Sequence, residues 1–369
     1  MIMPKINKVV TTLWYNKEDM RALRNVFPDA DFRYVDFYDK DRLTEEVKDA
    51  DVAIVLGDVD NCLLGENCLK WIHCDHAGLN GSARPEVFAR GIPVTGAAGR
   101  SAPVLAEHCI YFMLQSCYHT KELLTAQAAG HWGVEGSNSW RGLYGRTAGI
   151  IGMGNNGRML STRLKALGMN VMGFDKSPIQ GADELDVKLC GNDGDTIDPI
   201  LKEADFVILT LALTDETYHM MNYGTFCKMK PDAFLVNMAR GGIVCTEDLL
   251  KALNKGKLGG AGLDVLEEEP LPADHPLWQH PNVYITPHCT PQVPHRAGRS
   301  IEIIRENARR FEADEPLLNL LKPADALTTA TKSGWARLTN AGLTKEQVAR
   351  LDLDKFLGKR DWTDPSEWM

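Results

Sequence analysis

The 369-residue sequence predicts an α/β protein built from two doubly wound, largely parallel sheets. Three observations lead there. The chain is too long for one ordinary domain. Short apolar runs alternate with helical periods in two separate series, and such alternation implies crossover connections, because a hairpin cannot join parallel neighbours. The second series opens on a glycine-rich turn between a strand and a helix. Composition agrees: 44% apolar and 25% charged residues are the usage of a soluble globular protein and exclude disorder as the main state. With 41 Lys+Arg against 50 Asp+Glu the formal charge is −9, and no Lys/Arg cluster opposes it, so neither nucleic acid nor a membrane surface is expected as a partner.

In chain order, Val9–Leu13 reads as a strand and Glu18–Val26 as a helix, followed by strands at Asp51–Leu56, Leu69–Cys74 and Ile92–Thr95. Ser101–Ala129 contains no glycine and carries Pro103 in its first turn, which predicts one long helix ended by Gly130. At about 1.5 Å per residue it is long enough to pass from one domain to another. Six strand candidates follow: TAGIIGMG, NVMGFD, FVILTLAL, AFLVNMA, GGAGLDVL and VYITPH. Ile301, Ile304, Ala308 and Phe311 lie at helical spacing, and this helix is expected to return to the first domain. From about Lys322 the pattern loosens, with Trp335, Trp362 and Trp368 and a capping-box pair at Thr344 and Gln347.

Nine cysteines form no CxxC pair, which favours buried thiols in a reducing cytoplasm over disulfides. Cys62, Cys68 and Cys74 recur near His73 and His76, yet fall on different predicted elements, so no metal is expected. The opening MIMPKINKVVTTLWY lacks the apolar stretch of a signal peptide, and no run is long enough to span a bilayer; a soluble intracellular protein is expected.

The strongest chemical signal is Gly152-Met153-Gly154-Asn155-Asn156-Gly157, placed directly between the apolar run Ala148–Ile151 and a helical stretch. The first glycine permits the tight turn, the second lets backbone approach a pyrophosphate, and the third lets the helix pack on the strand. The helix N-terminus then faces the phosphates, with Asn155 and Asn156 in its first turn. Asp175 ends the next strand, 23 residues beyond Gly152, where an acid bonds the adenosine ribose hydroxyls. A carboxylate there repels a 2′-phosphate, so the expected cofactor is NAD, although Lys176 beside it leaves room for dual use.

From about residue 50 to 320 the chain closely resembles the D-isomer-specific 2-hydroxyacid dehydrogenases. The resemblance rests on Ala106-Glu107-His108, the GIIGMGNNG loop, VNMARGGIV at 236–244, GLDVLEEEPLP at 262–272 and NVYITPH at 282–288. It implies a Rossmann NAD-binding domain over 106–296 and a flavodoxin-like substrate domain formed by 1–105 plus 297–322, with a cleft between them and a C-terminal extension over 323–369. It implies a catalytic set of Arg240, Glu269 and His288, with Asp264 near the nicotinamide and Thr214 and Ala239 among the cofactor-binding residues. It also implies a small 2-keto or 2-hydroxy acid as substrate and a homodimer formed through the nucleotide domain.

The chemistry suits those residues. Reducing a 2-keto acid needs a cation for the carboxylate, a proton donor at the carbonyl oxygen and a hydride held over the carbonyl carbon. Arg240 offers a permanently charged fork, His288 exchanges a proton near neutral pH, and Glu269 would orient its ring. Glu267 and Glu268 read as exposed loop acids, and the remaining histidines, His108 and His219 among them, as structural or surface groups.

The chain also departs from the family's pattern. After His288 it reads Cys289-Thr290-Pro291-Gln292 where small residues are usual, and Thr210-Leu211-Ala212 lacks a proline common near the adenine. In the first domain the loop His76-Ala77-Gly78 should offer backbone N–H groups to the substrate, and His76 and Arg100 stand where a small and an uncharged residue are common. His76, Arg100 and Gln292 are therefore expected to meet a polar or anionic substrate tail. Phosphoglycerate is disfavoured, because the tail is too short for the regulatory domain of that enzyme's long forms. Two other readings share the fold: a formate-dehydrogenase-like enzyme, whose family pairs the histidine with glutamine, and an NAD-sensing corepressor, which would carry a peptide-motif extension not evident here.

Overall fold

The structure, a computed structural model, describes residues 5–177, 187–190 and 196–328. These residues divide into two compact units, one holding the chain up to Arg100 together with Pro294–Thr328, the other Ser101–Val293.

The first unit runs β1 (Lys8–Thr11), α1 (Lys17–Arg24), β2 (Asp31–Tyr34), α2 (Lys40–Glu46), β3 (Val52–Val55), α3 (Asn61–Leu64), β4 (Trp71–Cys74), α4 (Pro85–Ala89) and β5 (Val94–Gly96). Its strands are all parallel, in the order β2-β1-β3-β4-β5, the flavodoxin-like order. The period-2 alternation of each strand explains the double winding. Val9, Val52, Ile54 and Trp71 point to one face, where they pack with Met20 and Leu23 of α1. Val10, Ala53, Val55, Ile72 and Cys74 point to the other and meet Leu43, Leu63 and Val87. Asn16 caps α1 by accepting from Asp19 N–H at 2.9 Å, which satisfies one of the donors a helix start leaves open.

The second unit opens with α5 (Ala102–Cys117) and α6 (Thr120–Ala128). The single helix expected over 101–129 is thus two. The chain breaks at His119, which adopts a left-handed conformation (φ 45°), a state rare outside glycine and unmarked by any glycine or proline in the sequence. There follow β6 (Thr147–Ile151), α7 (Asn155–Ala166), β7 (Asn170–Phe174), β8 (Lys188–Cys190), α8 (Asp198–Glu203), β9 (Phe206–Leu209), α9 (Tyr223–Phe226), β10 (Phe234–Asn237), α10 (Thr246–Asn254), β11 (Gly260–Leu263) and β12 (Val283–Ile285). The seven strands are parallel in the order β12-β11-β10-β9-β6-β7-β8. This is the Rossmann arrangement with a further strand on one edge. Six strands were expected; the seventh, β8, is three residues long and carries no periodicity to read. Phe112 and Met113 of α5 pack with Ile150, Ile208, Phe234 and Val236 from the centre of this sheet.

The return helix α11 (Arg296–Glu312) belongs to the first unit, where Ile301, Ile304 and Ala308 join the core beside Val9 and Trp71. The tail motif at Thr344 and Gln347 and the three tail tryptophans lie outside the described residues.

Candidate active site

The dinucleotide turn follows from where glycine is obligatory. Gly152 leaves β6 at φ 103°, and a Cβ there would meet Leu211 N at 2.7 Å. A Cβ on Gly157 would come within 2.1 Å of the Gly152 carbonyl, so only hydrogen lets α7 rise this close to the strand it follows. Around Gly154 the space is open. Gly154 is also the N-cap of α7, and no side chain caps it, so the first-turn N–H groups are left for a ligand. Asn156 Oδ1 is buried there without a hydrogen-bond partner. Asp175 is anchored beside the turn, accepting from Met153 N–H at 2.9 Å through Oδ2 and from Ser177 N–H at 3.0 Å through Oδ1. An open cradle, an uncapped helix start, an orphaned amide oxygen and an adjacent carboxylate fit the phosphates and ribose of a dinucleotide. Lys176 pairs with Glu216 at 3.6 Å on the surface.

Further along the sheet, Thr214 is buried in a turn closed by Thr217, whose hydroxyl accepts from Thr214 N–H at 2.8 Å. Ala239 N–H donates to Asn237 Oδ1 at 3.1 Å. Arg240 then stands just beyond the end of β10, and its Nη1 donates to the Ala239 carbonyl at 2.7 Å. Gly241 is pressed against the Leu266–Glu267 backbone, where a Cβ would overlap the Leu266 carbonyl carbon at 1.9 Å. That contact ties the arginine turn to the segment leaving β11.

The same segment carries Glu269. Its Oε1 accepts from Leu266 N–H at 2.9 Å, and its Oε2 lies 3.0 Å from His288 Nδ1. A carboxylate only accepts, so Nδ1 carries the proton, which leaves proton exchange to Nε2. His288 itself has a left-handed backbone (φ 52°), held by hydrogen bonds from its N–H to the carbonyls of Asp264 and Thr286 at 2.8 and 2.9 Å. Arg240, Glu269 and His288 thus all stand on segments following the carboxyl ends of β10, β11 and β12 in the second unit, the edge at which open α/β sheets bind ligands.

Asp264, 3% exposed, lies under the loop that carries His288. It accepts from Cys289 N–H at 3.0 Å and from the Thr286 hydroxyl at 2.6 Å. One reading of the sequence needs correction. Glu267 is not an exposed loop acid: its Oε1 lies 2.5 Å from His219 Nε2 and its Oε2 accepts from Thr246 N–H at 3.1 Å. His108 is structural, one of the two roles expected of it: it is buried, and both ring nitrogens bond threonines of the 286–290 loop. No local signal announces either contact, because the partners are 48 and about 180 residues apart.

The remaining candidates lie in the first unit, except Gln292, which is exposed in the second. His76 Nδ1 donates to the Gly78 carbonyl at 3.0 Å, while Nε2 is buried, 3.6 Å from Asp58; Ala77 is exposed between them. Arg100 turns inward: Nη1 lies 2.6 Å from Asp75 Oδ1 and 2.9 Å from Ser300 Oγ. Tyr15 adds a hydrogen bond to the same carboxylate at 2.8 Å. Burial opposes ionisation of Asp75, yet Arg100, Arg296 and Ser300 outweigh it and hold the carboxyl below the usual range. Among the described residues no group of three His, Cys, Asp or Glu is placed to hold a metal, and no helix is long and apolar enough to cross a membrane.

Comparison with known proteins gives a consistent picture. Residues 110–290 match the profile of the family described as D-isomer specific 2-hydroxyacid dehydrogenase, NAD binding domain. A hydroxypyruvate reductase of Thermotoga maritima is 31% identical over 311 residues, covering 82% of this chain and 94% of that one. A D-3-phosphoglycerate dehydrogenase of Methanocaldococcus jannaschii is 33% identical over 294 residues, 76% of this chain but 54% of the other, so this chain spans about half of that relative. Among solved structures, a D-isomer specific 2-hydroxyacid dehydrogenase of Xanthobacter autotrophicus, in complex with NADPH and MES, superposes with a TM-score of 0.72 at 26% identity, covering 87% and 99% of the two chains.

Proposed function

Since the chain belongs to the D-isomer-specific 2-hydroxyacid dehydrogenase family and its second unit is an NAD(P)-binding domain, we propose that it interconverts a 2-keto acid and a D-2-hydroxy acid with NAD(H), using Arg240, Glu269 and His288. The observation that carries this reading is the His288–Glu269 pair. With Nδ1 committed to the carboxylate, Nε2 is the nitrogen that would give a proton to the carbonyl oxygen in reduction or take it back in oxidation. Glu269 is itself fixed by Leu266 N–H, so the ring is aimed before substrate arrives. Arg240 supplies the charge that binds the substrate carboxylate. NAD(H), when bound along the glycine turn, supplies or accepts the hydride at the nicotinamide C4. Asp175 favours NAD over NADP, because a carboxylate anchored beside the glycine turn would repel a 2′-phosphate.

A homodimer is part of the reading. Helix α6 buries none of its residues; Leu124 on it, Tyr118 just before it and a fully exposed Trp132 just after it are uncovered. Large exposed aromatic groups of this kind mark interaction surfaces, and we assign this one to a second copy of the chain.

The test is NADH oxidation against 2-keto acids ranging from glyoxylate and hydroxypyruvate through pyruvate to branched, aromatic and dicarboxylic members. Turnover giving the D-product supports the proposal. Tight NADH binding with no turnover across the panel overturns it.

A further inference from the structure

Four side chains of the second unit close a ring beneath the candidate site. Thr286 Oγ1 lies 2.6 Å from Asp264 Oδ1 and 3.1 Å from His108 Nε2. Thr290 Oγ1 lies 3.2 Å from Asp264 Oδ2 and 2.9 Å from His108 Nδ1. Each hydroxyl owns one hydrogen, and that restriction assigns the protons. An ionised Asp264 cannot donate, so the short Thr286 contact is donated by the hydroxyl, whose oxygen must then accept from His108 Nε2–H. The ring nitrogen that remains, Nδ1, is an acceptor in the neutral imidazole. Thr290 therefore gives its hydrogen to Nδ1, the nearer of its two contacts.

Burial disfavours the charged form of His108 more strongly than the Asp264 charge favours it, in keeping with a neutral ring. Phe112, one helical turn further along α5, stacks on the imidazole with centroids 4.8 Å apart and planes 19° apart, fixing its orientation. The two threonines bracket His288 in the loop, and the loop's backbone bonds back to Asp264 through the N–H groups of His288 and Cys289.

We propose that His108 is a positioning residue: as the Nε2–H tautomer it acts through the Thr286 hydroxyl to hold Asp264 and through the Thr290 hydroxyl to hold the 286–290 loop that carries His288. The proposal rests on the reading of the site given above. It gives Thr290 a part in the site, since its hydroxyl lies 2.9 Å from Nδ1.

The test compares wild type with Thr290→Val, which keeps the volume and removes the hydroxyl, and Thr290→Ser, which keeps the hydroxyl. In histidine-15N spectra of the full chain, wild type and T290S show His108 protonated on Nε2 with a hydrogen-bonded Nδ1, and T290V loses the Nδ1 signature. In turnover, T290V lowers kcat about tenfold with KM for the keto acid changed less than about twofold, and T290S restores kcat. An Nδ1–H tautomer in wild type, a wild-type kcat in T290V, or equal losses in T290V and T290S would each overturn the proposal. If the wild type reduces no 2-keto acid, the reading of the site fails. The ring's tautomer and NADH affinity then decide the network alone: weaker NADH binding in T290V upholds it, and unchanged binding sinks it.

Discussion

His288 is held by three independent constraints: a left-handed backbone, two hydrogen bonds from its N–H, and a carboxylate on Nδ1. The sequence makes the residue legible through its motif, and Glu269 through its register before Pro270. It does not reveal that Leu266 N–H holds the carboxylate, nor that Glu267 is taken by His219; those are long-range pairings with no local signature. The glycine turn was readable in full, because every requirement on it is local: a positive φ at Gly152 and a missing Cβ at Gly157. Asp175 supports one prediction at this scale. Replacing it with alanine removes the repulsion of a 2′-phosphate, so the ratio of kcat/KM for NADH over NADPH should fall roughly tenfold in Asp175→Ala. Initial-rate measurements with both cofactors check this, and an unchanged ratio would assign the selectivity elsewhere.

Strand β4 shows what alternation predicts and what it leaves out. Trp71 and Ile72 fall on opposite faces as the pattern requires, and both are buried. His73 lies on the same strand, completely buried, with Nδ1 3.0 Å from the Thr95 hydroxyl and Nε2 unpartnered. Burial pushes its pKa down from 6.5 to about 4. Folding therefore excludes a proton that the unfolded chain binds below pH 6.5. The neutral ring's contribution is fully present above that pH and is lost as pH falls from 6.5 through 4, about 3 kcal/mol across the window. Urea melts should show stability declining between pH 6.5 and 4 in wild type, with a shallower slope in His73→Asn; parallel slopes would place the acid sensitivity in other groups. The missed elements share a cause as well. β8 is too short for any period, and the break at His119 depends on a left-handed histidine that propensity does not foresee.

At the scale of the whole molecule, two parallel sheets follow from the alternation of strands and helices, and their flavodoxin-like and Rossmann orders agree with what the family resemblance implied. Partner surfaces were not legible in the sequence, because exposure depends on what the folded chain leaves uncovered. In the proposed dimer the exposed surface at α6 and Trp132 meets a second copy. Light scattering on wild type should give twice the 40.9 kDa chain mass, and Trp132→Glu should shift the species toward monomer, because a charge at a packed interface is left unpaired. A monomeric wild type would refute the dimer without touching the chemistry.

That chemistry is tested most directly by single-turnover NADH oxidation with the preferred 2-keto acid in wild type and His288→Asn, with NADH affinity measured on both proteins. The account predicts a hydride-transfer rate lower by roughly 10³-fold in the variant, with NADH bound as tightly as in wild type. A variant that reduces the keto acid at the wild-type rate would contradict it.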